Sequence, residues 1–62
     1  MNESTLQQRL TSFLGVLGVP VTRFSSMVGL SPSTVHKWRS GLLRLSESAL
    51  QRIDGILSQY GF

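Results

Sequence analysis

The side chains able to transfer protons or hold a metal are few: three carboxylates, Glu3, Glu47 and Asp54, one histidine, His36, and no cysteine in 62 residues. General acid-base catalysis needs two such groups converging on one bond, and a metal centre needs several ligands at regular spacings. Here the acids stand far apart and read as helix-capping or surface groups, the histidine is alone, and no glycine-rich loop follows a strand to cradle a phosphate. No catalytic residue, metal site or cofactor is expected, and the chain does not read as an enzyme. Without cysteines there is also no disulfide framework to suggest an oxidising compartment.

The cations are distributed differently. Residues 1–19 carry Glu3 and Arg9 and sum to zero, and residues 47–62 carry Glu47, Arg52 and Asp54 and sum to −1, whereas residues 20–46 carry Arg23, Lys37, Arg39 and Arg44 with no acid. The whole excess of the +3 net charge therefore lies in the middle. An uncompensated cationic segment attracts polyanions such as duplex DNA, although a solvated basic face has the same composition.

The elements that must position these cations follow from apolar spacing. Leu6, Leu10, Phe13, Leu14 and Leu17 recur every three or four residues, as on the buried face of a helix, with Asn2 or Ser4 as its cap and Gly18 as its end. Gly15 loosens the last turn of that pattern. A second helix is expected from Pro20, taken as its first residue, to about Val28, and a third from Pro32, capped by Ser31, to about Ser40, with Gly41 as its stop. Ser46 then precedes a fourth helical pattern, Ala49, Leu50, Ile53, Ile56 and Leu57. No apolar run is long enough to span a bilayer and the N-terminus lacks the pattern of a signal peptide, so a soluble single domain over residues 1–62, cytoplasmic and without membrane contact, is expected.

The segment from Val21 to Gly41 carries the most specific pattern. Phe24, Val28, Leu30, Val35 and Trp38 fall where two short crossing helices must touch, Ser25 is small where they approach, and Gly29 can take the positive φ of a tight turn. The third helix then keeps an outward face formed by Pro32, Ser33, His36 and Lys37, a set suited to base edges in a major groove. Lysine donates to guanine, serine and histidine exchange hydrogen bonds, and proline offers apolar contact to a thymine methyl.

The run Gly29-Leu30-Ser31-Pro32-Ser33-Thr34-Val35-His36-Lys37-Trp38-Arg39-Ser40-Gly41, with Leu17-Gly18-Val19 before it and Leu50 to Leu57 after it, resembles the phage Cro and repressor (XRE-like) family. The resemblance implies an all-α, compact four- to five-helix lambda-repressor-like domain in which helices 2 and 3 form a helix-turn-helix at about residues 21–41. It implies base reading by Pro32, Ser33 and Lys37, and phosphate contacts at Val21, Thr22 and Arg44. Together with the polar and basic residues beside them, the expected phosphate set is Thr22, Arg23, Ser31, Thr34, Arg39, Ser40 and Arg44. The implied function is a sequence-specific transcriptional regulator, a small Cro-like repressor that occludes a short, palindromic double-stranded DNA site, with no small-molecule effector.

The sequence departs from the family at three places. The arginine of the first helix and glutamate of the third that many members pair are matched by Leu14 and Arg39, which frees Arg39 for phosphate or for laying its stem over the core. Val21 lacks a polar side chain, so Thr22 or backbone amides must serve there. Asp54 replaces a small apolar residue and needs a partner such as Arg52 or Arg23, or a place in solvent.

Two-fold pairing would set two reading helices ~34 Å apart on one face of DNA, so a weak homodimer is expected through Leu57, Tyr60 and Phe62. Gly-Leu-Ser-Pro-Ser-Thr-Val followed by Gly-Leu-Leu also resembles the MerR or excisionase motif, though an amphipathic helix precedes it and no wing strands follow. A different alternative is a helical protein-interaction module using Leu42, Leu43, Leu45, Ile56, Tyr60 and Phe62.

Overall fold

The computed structural model describes residues 2–62, and these form four α-helices: α1 (Glu3–Leu17), α2 (Val21–Val28), α3 (Pro32–Arg39) and α4 (Glu47–Gln59). No strand and no fifth helix occurs among the described residues. Three helices start on a side-chain cap, in which an oxygen of Asn2, Ser31 or Ser46 accepts backbone N–H bonds of the first turn. Such caps satisfy donors that have no partner inside the helix. α2 differs, because Pro20 is its cap residue rather than its first helical residue and supplies no side-chain acceptor.

Each helix is followed by a glycine of positive φ, at positions 18, 29, 41 and 61. The turn at Gly29 matters most. Its φ of 72° lets the Leu30 amide donate back to the Ser25 carbonyl at 3.0 Å, so α2 closes and α3 begins after only three residues. Such a backbone is strained for any residue with a Cβ. α1 runs without a break through Gly15 to Leu17, and α3 ends at Arg39, with Ser40 as its cap residue.

α2 packs against α3, and α4 packs against both α1 and α2. The core is one cluster of Leu6, Leu10, Phe13, Phe24, Val28, Val35, Trp38, Leu50, Ile53 and Leu57. Phe13 is its hub: the rings of Phe24, Tyr60 and Phe62 meet it edge to face at 5.4–5.7 Å. That geometry sets the positive edge of one ring against the negative face of another. Ser25 is fully buried, its hydroxyl donating to the Val21 carbonyl at 2.8 Å.

Several sequence expectations are corrected by this packing. Leu17, counted on the buried face, is 46% exposed at the end of α1. Leu57, expected at a dimer surface, is wholly buried within the chain, because its spacing from Leu50 and Ile53 keeps it on the inner face of α4. Asp54 pairs with neither Arg52 nor Arg23. It binds Nη1 of Arg9, whose Nε donates to the Phe62 carbonyl at 2.7 Å and whose Nη2 donates to the Ser58 hydroxyl at 3.0 Å. One guanidinium thus ties α1 to the end of α4 and the segment after it. Arg52 instead donates to the Val28 carbonyl at 3.1 Å, an acceptor at the end of α2.

Candidate nucleic-acid interface

α3 owes its position to Val35 and Trp38, which are buried on the core side. Trp38 is an anchor and not a stacking platform: its indole N–H donates to Glu3 at 3.0 Å and its carbonyl accepts the Gln7 side-chain amide at 2.9 Å. With those two residues fixed inward, helical spacing turns Ser33, His36 and Lys37 outward together. These three and Pro32 are all exposed. The face therefore offers a hydroxyl, an imidazole, an ammonium and an apolar ring within two turns.

Ser31 and Thr34 are brought together. The Ser31 hydroxyl accepts the Thr34 amide at 3.1 Å and lies 2.7 Å from the Thr34 hydroxyl. Two hydroxyls sharing one bond leave one proton free to donate outward at the start of α3. Thr22 and Arg23 are exposed in the first turn of α2, where the absence of a side-chain cap leaves the Val21 and Thr22 amides without a side-chain acceptor. A helix start with open amides and a positive dipole end suits an anion.

The cations divide by what they touch. Arg9 and Arg52 bond to the protein's own acceptors, and Arg39 makes a single long contact, Nη2 to the Thr11 hydroxyl at 3.4 Å. The side chains of Arg23, Lys37 and Arg44 are exposed and have no hydrogen bond or ion pair among the described residues. Arg44 lies in the segment between α3 and α4 beside Leu42, which is 79% exposed, and Leu43, which is 38% exposed. Of the acids, Asp54 is paired with Arg9, Glu3 is held by Trp38, and Glu47 sits in the first turn of α4. None answers the three free cations.

Two grooves flank these elements. A polar one of about 520 Å³ separates α1 from α3 and is lined by Ser4, Gln7, Gln8, Thr11, His36, Arg39 and Ser40. A second, of about 370 Å³, runs past Leu17, Val19, Pro20, Met27 and Tyr60, with Arg23 lining it.

Sequence reasoning did not find the α1 wall of the first groove. A signal existed, because Ser4, Gln7, Gln8 and Thr11 are polar at helical spacing, but without α3 opposite them they read as a solvated face. The six apolar residues of the interaction alternative are also divided: Leu45, Ile56 and Phe62 pack against the core, while Leu42, Leu43 and Tyr60 are exposed. Comparison with protein-family models, curated proteins and solved structures finds no match to this chain.

Proposed function

We propose that this chain is a sequence-specific double-stranded DNA-binding domain in which α2 and α3 act as a helix-turn-helix and α3 enters the major groove. The observation that carries this reading is the unanswered charge: the side chains of Arg23, Lys37 and Arg44, all within residues 20–46, are exposed and unpaired among the described residues, and Lys37 shares an exposed face of α3 with Pro32, Ser33 and His36. A fold that pairs both Arg9 and Asp54, yet leaves these three cations in water, has its positive field on one segment. Duplex DNA supplies the matching partner, one phosphate per ~1.7 Å of axis, and counterion release makes each contact favourable at low salt.

In this reading Lys37 and Ser33 address base edges, His36 a base or phosphate, and Pro32 a thymine methyl. Thr22, Arg23, Arg39, Ser40, Arg44 and the Ser31–Thr34 pair hold the backbone, which sets register without carrying sequence information. The resemblance to the Cro and repressor family supports repression by occlusion of a short site. A second copy pairing through the exposed ring of Tyr60 would place two reading helices on one face of DNA.

Selection of bound sequences from a random duplex pool tests the reading. A recurrent half-site in inverted repeat is the expected result, and recovery of unselected sequence overturns it. Sedimentation with the selected duplex measures pairing: two chains per duplex are expected, and one chain on a two-half-site duplex removes the homodimer. The protein-interaction reading predicts apolar binding that rises slightly or stays level with salt, opposite to the steep loss expected for phosphate contacts.

A further inference from the structure

We propose that the groove between α1 and α3 seats a backbone phosphodiester of the bound DNA, with α1 supplying one wall through Gln8. This deepens the DNA-binding reading and rests on it. α1 and α3 share the core through Leu6, Leu10, Val35 and Trp38, and at its edge Glu3 and Gln7 bond to Trp38 while Arg39 reaches Thr11. What remains is an open polar channel of about 520 Å³ beginning at His36, a residue of the α3 reading face, and continuing past Arg39 and Ser40.

The channel has a surplus of donors. A guanidinium carries five N–H groups, and among the described residues the only hydrogen bond from the Arg39 side chain is the 3.4 Å contact to Thr11. The Thr11 hydroxyl gives its own proton to the Gln7 carbonyl at 3.0 Å, so it acts toward Arg39 as an acceptor that holds the guanidinium in place. Gln8 is exposed and has no hydrogen bond among the described residues, so its amide is open on the α1 side. Among the described residues no carboxylate lines the channel, and Glu3, at its edge, is held by the Trp38 indole N–H. A cation, an imidazole, an amide and the Ser40 hydroxyl fit a tetrahedral anion with several acceptor oxygens. Continuity with the reading face points to a phosphodiester of the DNA strand that α3 follows.

The test changes the charge of the α1 wall and leaves the core alone. Duplex affinity is measured over a salt series for the wild-type chain, Gln8→Lys, Gln8→Glu and Gln51→Lys, the last placing the same charge at an exposed position of α4 outside the groove. Gln8→Lys is expected to tighten selected and random duplexes alike by roughly threefold to tenfold near 50 mM salt and to steepen the salt slope by about 0.9. Gln8→Glu weakens both to a similar degree, and Gln51→Lys gives a smaller gain.

Equal gains from the two lysines, or no change from either Gln8 variant while the wild type binds, overturn the groove and leave the DNA-binding reading standing. Failure of the wild-type chain to bind any duplex overturns both. Inorganic phosphate is added at constant ionic strength as a separate arm. Competition by phosphate beyond that of chloride, with duplex affinity insensitive to Gln8, assigns the groove to a free anion and rejects the phosphodiester.

Discussion

Arg9 and Arg44 are the same residue type in two differently built regions. On the α1–α4 side, Arg9 spends its guanidinium on Asp54, Ser58 and the Phe62 carbonyl, and is half-buried. Within residues 20–46, the side chains of Arg23, Lys37 and Arg44 are exposed and bond to nothing among the described residues. Charge on the first side serves cohesion, and charge on the second is available to a partner. Substitutions should therefore separate into those that change stability and those that change binding, and a residue that does both would break the comparison.

The largest effect is expected from Trp38→Ala, which empties a fully buried site and releases the anchor of α3 from Glu3 and Gln7. Denaturant unfolding should report a loss of about 3–5 kcal/mol, and binding should fall with the folded fraction. Lys37→Ala sharpens the other side. It should reduce discrimination between selected and random duplex by about 1–3 kcal/mol while the unfolding midpoint stays within error, since the Lys37 side chain is exposed.

Arg9→Gln removes three bonds, but the pair with Asp54 is partly exposed, at 27% and 39% side-chain accessibility, so solvent screening limits the cost to about 1 kcal/mol. Its duplex affinity at a temperature where both proteins are folded should match the wild type. Arg44→Ala is the mildest: stability unchanged, selected and random duplexes weakened alike, and the salt slope shallower by about 0.9.

Local structure was legible in the sequence because it is written in neighbouring residues. The Asn2, Ser31 and Ser46 caps, the stops at Gly18, Gly29 and Gly41, and the inward positions of Val35 and Trp38 all follow from spacing within one or two turns. The exposure of Pro32, Ser33, His36 and Lys37 follows from the same periodicity. What escaped is long-range. Arg9 meets Asp54 across 45 residues and Trp38 meets Glu3 across 35, contacts set by how α1 packs and not by either local pattern. The α1–α3 groove escaped for the same reason. Pro20 differs by one position because proline suits both a helix cap residue and a first helical residue, and Leu57 lies inside because its spacing from Leu50 and Ile53 keeps it on the inner face of α4.

Heteronuclear NMR of the labelled chain, titrated with its selected duplex, compares the two regions in one experiment. The account predicts amide shifts concentrated at Val21–Arg23, Ser31, Ser33–Ser40 and Arg44, with Gln8 as the α1 wall of the groove, while Asp54, Ser58 and the Arg9 side chain hold their positions. Shifts centred on the Arg9–Asp54 side, or none at low salt, would contradict it.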